Sequence, residues 1–298
     1  MRNKSNIAWL FILAAGILWG SMGIFVDILT GLGFTELQSA AIRICSAAVM
    51  YVVFLALKDK SLLKIRIKDF PMFFGLGVLS ILAMTCTYFY AIKQTSYSVA
   101  AILLYTAPVI VSVLSAIFFK ERFGLSKVTA LVIAFAGCVL VSGFSTGDGI
   151  KPIGIVFGLL SGLAYALYSI FGKFALEKYK PYTVSAYAFV FAAFGSLFVC
   201  DMPGLLKHIP NVPSVWTLIA GTILVGLISA FLPFLLYTLG LSKTEPGKAA
   251  IIASVEPLAA TVCGFLFKNQ IPSVGAVFGI VCIIGAIVII NVSNNNAK

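Results

Sequence analysis

Two charged side chains interrupt long apolar stretches of the chain, and both residue types could do chemistry there. Glu256 stands directly before Pro257, and Arg43 lies about two helical turns into another stretch. A charge at the centre of a bilayer costs about 2.5–3.5 kcal/mol on insertion scales, so it faces the protein interior or a water-filled cavity. Three roles are open for Glu256: a proton-coupling carboxyl, a contact for a cationic substrate group, or a hydrogen-bond partner for a kinked backbone. Arg43 is expected to bind a substrate carboxylate, to pair with Glu36, or to extend its guanidinium towards the outer surface.

Pro108 and Pro257 each lie near the middle of an apolar stretch. Proline lacks a backbone donor and clashes with the preceding turn, so we expect a kink at each position. In lipid the freed carbonyl needs cover from protein or water, which favours a hinge or cavity wall over a static packing kink. Both prolines are therefore candidate substrate-site residues, together with Arg43 and Glu256.

Aromatic residues with a polar edge also occur in these stretches. Tyrosine and tryptophan suit a cavity for an amphipathic solute, because they combine an apolar ring with a hydrogen-bonding tip. They are also common at membrane surfaces, so depth separates the two roles. Trp9, Tyr51 and Trp216 lie near the ends of apolar stretches and are interpreted as interfacial. The aromatic candidates for the substrate site are Trp19, Tyr90, Tyr105, Tyr165 and Tyr168.

The segments that position these residues are long and apolar. Hydrophobic residues make up 61% of the chain and charged residues 10%, and the mean hydropathy is +1.08, whereas soluble domains carry about 25% charged residues. Continuously apolar runs such as 99–119 favour membrane helices over the alternating strands of a β-barrel. The first segment is long and others follow it, so we interpret it as a retained helix and not a cleaved signal peptide. The predicted spans are 8–28, 36–57, 69–92, 97–119, 126–144, 152–176, 181–200, 214–240, 247–267 and 273–292.

Basic residues are distributed unevenly between the two ends of these spans. One end carries only Lys93, Lys151, Lys207 and Lys268, and apart from Arg43 every other Lys and Arg falls at the opposite end, together with both termini. The positive-inside rule therefore places both termini in the cytoplasm, and we expect a multi-pass protein of the cell membrane. Topology and contacts to anionic membrane lipids explain the net charge of +11, so no nucleic-acid partner is expected.

Motifs of other functional classes are absent from the sequence. The six cysteines lie within or beside apolar spans without Cys-x-x-Cys spacing, so neither a disulfide framework nor a zinc site is expected. The sequence contains no Walker, His-Glu-x-x-His or Gly-x-Ser-x-Gly motif, and a single histidine, His208, cannot form a metal site. We expect no cofactor, no metal and no catalytic residue.

The two halves of the chain are similar in sequence. At a shift of 149 residues, 100–102 matches 249–251 and Pro108 matches Pro257. Each half contains five predicted spans, and because five is odd, the second half is inverted relative to the first. Inverted repeats are typical of secondary transporters, whose substrate site lies between the repeats near the midplane. The predicted repeats are 8–144 and 152–292.

Several short motifs carry a family resemblance. They are Trp19-Gly20 in the first span, Arg43 in the second, the stretch 91–108 at the start of the fourth, Lys120-Glu121-Arg122 at its end, and Glu256-Pro257 in the ninth. Together they resemble the drug/metabolite transporter superfamily and, within it, the EamA-domain carriers. The resemblance covers nearly the whole chain and implies a secondary carrier of small metabolites, often amino acids or related compounds, frequently exported.

Two positions depart from that family pattern. Lys120 replaces the usual glycine, and Gln270 stands in the second repeat where family members often carry a glutamate. Glu121 therefore has no acidic counterpart, which weakens any mechanism that needs this acid in both repeats.

The sequence thus predicts an all-α integral membrane protein with ten transmembrane helices in two inverted five-helix repeats. The predicted function is secondary-active transport of a small-molecule substrate by alternating access. Spans one, three, four, six, eight and nine are expected to line a central midplane cavity, with protons as the candidate coupling ion at Glu256. A membrane enzyme or sensor is the alternative, disfavoured because Glu256 has no catalytic partner and no soluble signalling domain is present. A monomer and a homodimer both stay open.

Overall fold

The computed structural model describes residues 2–121, 124–143 and 150–296, with side chains from 7 to 292, and every regular element in this part of the chain is a helix. Ten helical segments there are long and apolar enough to cross a bilayer. We number them spans 1 to 10, in chain order: Ile7–Gly31, Glu36–Lys58, Ile67–Gln94, Tyr97–Phe119, Leu125–Ser142, Pro152–Leu176, Pro181–Val199, Val215–Leu241, Pro246–Lys268 and Val274–Val292.

The ten predicted spans and the all-α membrane fold are confirmed. Each observed span begins and ends within a few residues of its predicted bounds. Residue 144, the predicted end of the fifth span, and Arg122 lie outside the described residues. Hydropathy predicts these elements well because a chain in lipid satisfies its backbone hydrogen bonds within each helix.

Spans 4 and 9 are each built from two consecutive helices. Span 4 consists of Tyr97–Leu104 and Ala107–Phe119, and span 9 of Pro246–Ala253 and Glu256–Lys268. Pro108 and the corresponding proline of span 9 stand in the first turn of the second helix. The N–H groups of a first turn have no partner within the helix, so a proline there costs no hydrogen bond. Each of the two spans is therefore fully interrupted just before its proline, where only a kink was expected.

Three further spans are irregular, and span 8 has a mid-span proline, Pro233, beside its irregular segment. Span 1 is interrupted at Ser21, between the helices Arg2–Gly20 and Met22–Gly31. Spans 3 and 8 contain widened π-helical segments at Gly75–Leu82 and Leu227–Phe231. Such π segments occur frequently at functional sites.

The other helices are as follows. Span 3 begins with the 3-10 turn Ile67–Asp69 and Phe70–Phe74 and ends with Ala83–Gln94, and span 8 comprises Val215–Gly226 before its π segment and Leu232–Leu241 after it. The helix of span 10 is Val274–Asn296, and the connections contain Lys60–Leu63, Met202–His208 and Ile209–Asn211.

Spans at equivalent positions in the two halves of the chain make equivalent packing contacts. Span 5 packs on span 10, span 2 on span 7 and span 4 on span 9. Span 1 packs on spans 8 and 9, and span 6 packs on the equivalent spans 3 and 4. Lys120 and Asn269, 149 residues apart, end their helices in the same left-handed conformation, with φ of 55° and 53°. The two sets of five spans therefore make corresponding contacts.

Close helix approach depends on glycines along spans 1 and 6. A Cβ at Gly16 would lie 2.5 Å from Val255 Cγ1, and a Cβ at Gly162 would lie 2.6 Å from Thr106 Oγ1. These are equivalent contacts, between span 1 and the break in span 9 and between span 6 and the break in span 4. Small residues let the backbones meet there, so the two breaks are held against the neighbouring helices.

Candidate functional site

A small cleft with a cavity volume of about 20 Å³, room for about one water molecule, lies between the breaks of spans 4 and 9. We call it the central cleft. Spans 4, 6, 8 and 9 provide its wall, which is mainly apolar with tyrosine and serine hydroxyls and one carboxylate. The lining residues are Tyr105, Ala107, Pro108, Val111, Tyr165, Ser169, Tyr237, Ala250, Ala253, Ser254 and Glu256. This composition, apolar with a few convergent polar groups, is typical of small-molecule sites, although the space in this conformation is far smaller than a metabolite needs.

The carboxylate of the central cleft belongs to Glu256, the first residue of the helix Glu256–Lys268. The break in span 9 turns this side chain into the cleft, and the positive end of the helix dipole favours a carboxylate there. The Tyr165 hydroxyl donates a hydrogen bond to Glu256 Oε2 at 3.2 Å. Glu256 is only partly buried, which is consistent with its place in the wall of an open space.

A second opening reaches the same carboxylate from one end of the bundle. We call the end that carries Lys268 the outer end, and the end that carries both termini the inner end. This outer cleft has a volume of about 260 Å³. Spans 1 and 9 and the turn after span 9 line it, with Trp19, Gly20, Met22, Gly23, Ile24, Glu256, Ala260, Cys263, Gly264, Lys268 and Gln270. Glu256 is the residue shared by the central and outer clefts.

The outer cleft is bordered by an ion pair between the two spans that form it. Lys268, at the end of span 9, pairs with Asp27 of span 1, and both side chains are partly exposed. Such an exposed pair contributes little stability, so it can open at small cost.

The inner end contains a cleft of about 620 Å³, and a buried ion pair lies in its wall. Lys127 of span 5 pairs with Glu121, just after span 4, and both side chains are 4% exposed. A Cβ at Gly247, in the first turn of span 9, would lie 2.6 Å from Lys127 Nζ and 3.0 Å from Glu121 Oε2. Lys173 Nζ donates to the Thr244 carbonyl at 2.9 Å and so fixes the connection before span 9. Charged groups at this end therefore join spans 4, 5, 6 and 9.

Trp19 connects the two clefts through aromatic contacts. Its ring lies 6.2 Å from Tyr165, 5.4 Å from Tyr237 and 5.0 Å from Phe234, measured between centroids. The indole is 6% exposed, and its Nε1–H is buried without a hydrogen-bond partner within the described part of the chain. A buried N–H without a partner is unusual, because buried donors are normally hydrogen-bonded.

The structure brings five of the residues expected at the site to these clefts. Tyr105, Pro108 and Tyr165 line the central cleft, Trp19 lines the outer cleft, and Glu256 lines both. Pro257 is buried in the following turn, where it starts the helix that carries Glu256.

Arg43 lies behind the wall of the outer cleft. Its guanidinium is 6% exposed and donates from Nη1 to the Met22 sulfur at 3.0 Å. Arg43 is close enough to Glu256 for their charges to interact. The suggested partner Glu36 instead accepts a hydrogen bond from the Tyr97 hydroxyl at 2.5 Å. Extension of Arg43 to the outer surface does not occur.

Three tyrosines have environments that differ from expectation. Tyr90 is 40% exposed and packs on Phe157, away from both clefts. The Tyr168 hydroxyl shares a hydrogen bond with Thr238 Oγ1 at 2.9 Å in the buried core. The interpretation of Tyr51 as interfacial is wrong, because it is fully buried and donates at 2.8 Å to the Phe231 carbonyl in the π segment of span 8.

Other lining residues were not among the sequence candidates. Ser169 and Tyr237 share a hydrogen bond at 2.7 Å in the wall of the central cleft, and Ser254 lies in the break of span 9. Serines within apolar spans are a weak signal, and only helix rotation decides which of them face a cavity. No lining residue of either cleft comes from span 3, which was expected to contribute. Among the described residues, no group of three His, Cys, Asp or Glu side chains is placed to hold a metal ion.

Comparison with known proteins identifies the family. The EamA-like transporter family matches residues 6–143 and, a second time, residues 152–292. An uncharacterized transporter of Archaeoglobus fulgidus is 28% identical over 86% of this chain and 88% of its own length. The uncharacterized transporter YwfM of Bacillus subtilis is 26% identical over 99% of this chain and 97% of its own length. A crystal structure at 17% identity superposes with a TM-score of 0.76 over 96% of this chain and 97% of that one, which establishes the fold alone. The ten apolar spans and both family matches therefore make this chain a multi-pass membrane transporter that belongs to the EamA-like transporter family.

Proposed function

We propose that the protein is a secondary-active transporter of small metabolites that works by alternating access around Glu256. The observation that carries this proposal is that one carboxylate lines both the central and the outer cleft. A solute that enters from the outer end would meet Glu256 before it reaches the tyrosine-lined central cleft. Metabolites such as amino acids and related compounds are the proposed substrates, and export is the proposed direction, as the family resemblance implies.

The conformational change would exchange the roles of the two ends. Clefts are present at both ends, with about 260 Å³ at the outer end and about 620 Å³ at the inner end, and the Glu121–Lys127 pair in the wall of the inner cleft packs against Gly247. We propose that opening to the inner side separates this pair from span 9 and closes the outer cleft near Asp27 and Lys268. The related packing of residues 8–144 and 152–292, in inverted orientation, would give the two states similar energies.

The proposed topology follows from the basic residues. Both termini would lie in the cytoplasm and the outer end would face the exterior of the cell membrane. Protons are the proposed coupling ion, since a carboxyl in an apolar site can carry one proton across when it is protonated on one side and released on the other.

Transport by purified protein in proteoliposomes tests the proposal. Radiolabelled amino acids, amines and carboxylates would be offered with and without a proton gradient. We expect accumulation of at least one solute, and Glu256→Gln should abolish gradient-driven accumulation while sparing exchange. Glu177→Gln is the matched control, because Glu177 is an exposed carboxyl in the connection after span 6. Accumulation that is unchanged in Glu256→Gln would remove Glu256 from coupling, and absence of any transport would contradict the proposed function.

A further inference from the structure

The inner cleft is the largest of the three clefts described above, and most of the residues that line it are charged. It has a volume of about 620 Å³ and lies where spans 4 and 6 end and spans 5 and 9 begin. Its charged lining residues are Lys120, Glu121, Lys127, Lys173, Glu245 and Lys248. Four lysines and two glutamates give this wall a net charge of +2.

Each of the two acids in the inner cleft is paired with a lysine. Glu121 pairs with Lys127, and both side chains are 4% exposed. Glu245 Oε2 lies 3.1 Å from Lys248 Nζ, one turn further along the chain. The excess positive charge of the wall therefore belongs to the other two lysines.

Those two lysines, Lys120 and Lys173, form no ion pair within the part of the chain that the structure describes. Lys173 Nζ donates to the Leu241 carbonyl at 3.2 Å and to the Thr244 carbonyl at 2.9 Å. An ammonium group has three donors, so one N–H of Lys173 is left for a further acceptor. Lys120 ends span 4 and is exposed.

Two helices also begin at the inner cleft. The helix of span 5 begins after Gly124 and the first helix of span 9 after Glu245, and neither N-cap residue makes a side-chain cap hydrogen bond. The N–H groups of a first turn have no partner within the helix, and they form the positive end of its dipole. A Cβ at Gly247 would lie 2.6 Å from Lys127 Nζ, so the start of span 9 lies directly against the lysines.

Lysines and helix N-termini together are the groups with which proteins bind phosphate. A phosphate monoester carries a charge of about −1.5 to −2 at pH 7 and three strong acceptor oxygens, which matches the two unpaired lysines. A carboxylate carries a single charge and would leave one of these lysines uncompensated. We propose that the inner cleft binds a phosphate group, carried by an anionic lipid of the adjacent leaflet or by a soluble phosphate ester. This inference goes beyond the proposed transport function and does not depend on it.

The lipid and the soluble ester offer the same chemistry from two directions. The positive-inside rule accounts for the number of basic residues at the inner end but not for the position of four of them in one cleft. Basic pockets between membrane helices on the cytoplasmic side bind anionic headgroups. In either case the phosphate would join the ends of spans 4 and 6 to the starts of spans 5 and 9, so it should raise the thermal midpoint.

Calorimetric titration of the purified full-length protein in an uncharged detergent tests this inference. The probes are inorganic phosphate, dihexanoylphosphatidic acid and, as the headgroup control, dihexanoylphosphatidylcholine, all at one ionic strength set with chloride. We expect phosphate and the phosphatidic acid to bind and to raise the thermal midpoint, and the phosphatidylcholine to do neither.

Two variants of the cleft and one control assign the binding to these lysines. Lys173→Gln should weaken phosphate binding by about tenfold, the factor that corresponds to one charged hydrogen bond. Lys120→Asn should weaken it by about fivefold, as for an exposed charge pair. This variant keeps the backbone unstrained, because the equivalent Asn269 has the same left-handed conformation, and it carries the test if Lys173→Gln fails to fold. Lys64→Asn removes an exposed lysine at the same end that lines none of the three clefts, and it should leave binding unchanged.

The outcomes also separate the two sources of phosphate. Binding of both anionic probes that falls in the two cleft variants would support the site with a soluble ester as a sufficient ligand, and such binding of the phosphatidic acid alone would support it with a lipid as the ligand. If neither anionic probe binds more tightly than the phosphatidylcholine, the inference is wrong. Equal binding by Lys120→Asn, Lys173→Gln and Lys64→Asn would likewise overturn it.

Discussion

The contact between spans 1 and 9 beside Glu256 gives a quantitative prediction. Gly20 lies at this contact, where an added Cβ would be 2.6 Å from Ala259 Cβ and 2.7 Å from the Ala260 backbone nitrogen, and would also meet the Glu256 carbonyl oxygen. Backbone atoms cannot rotate away as a flexible side chain can. Gly20→Ala should therefore push the two spans apart.

The size of the effect follows from two opposing contributions. Overpacking of a tight contact costs about 1–3 kcal/mol, and the backbone neighbours place this site towards the upper value. Replacing glycine by alanine in a helix gains at most about 1 kcal/mol. The net loss of unfolding free energy is therefore about 1–2 kcal/mol, which lowers the thermal midpoint by a few degrees.

Gly31→Ala is the matched control, because Gly31 ends the same span, lines neither cleft, and an added Cβ there would meet nothing within 4 Å. Thermal unfolding of the purified proteins in detergent measures both variants, and transport of the solute identified in the proteoliposome panel shows whether the displaced span impairs the site. We expect Gly20→Ala to be less stable and less active, and Gly31→Ala to match the unmodified protein. If Gly20→Ala proves as stable and active as Gly31→Ala, spans 1 and 9 are not in close contact beside Glu256.

Three further predictions concern the packing and the two ends of the bundle. Tyr51→Phe removes the donor to a buried carbonyl in the π segment of span 8 and should cost about 1–3 kcal/mol in thermal unfolding; unchanged stability would refute that contact. Lys127→Met leaves the Glu121 carboxylate buried and should cost about 3–5 kcal/mol, most of which Lys127→Met with Glu121→Gln should recover, and equal stability of the single and double variants would contradict a buried pair. Cysteines at Asp27 and Lys268, in a background without the native cysteines, should cross-link with a short bifunctional thiol reagent and stop transport until the link is reduced; full transport by the linked protein would exclude movement at the outer end.

The ten spans could be predicted from the sequence because bilayer thickness and backbone hydrogen bonding leave few alternatives for an apolar run. The breaks were predictable only in part. Pro108 and Pro257 indicated irregular helices but not their form, because proline fits the first turn of a new helix as well as it kinks an existing one. The break at Ser21 and the π segment of span 3 have no such residue, whereas Pro233 stands beside the π segment of span 8.

The residues that line the clefts were likewise predicted only in part. Trp19, Tyr105, Tyr165 and Glu256 meet at the two clefts, whereas Tyr90 faces outward and Tyr168 is bonded within the core. Successive residues of a helix point about 100° apart, so depth in a span does not determine whether a side chain faces a cavity.

The sequence by itself determined the membrane class, the number of spans and the presence of an acid in the ninth, since these follow from residue types and their order. Only the tertiary structure decided that Glu256 joins the central and outer clefts, that Ala107 is its equivalent in span 4, and that Met22 separates Arg43 from the open space. The physical reason is that these relations depend on helix rotation and on contacts between spans far apart in the chain, which no local pattern encodes.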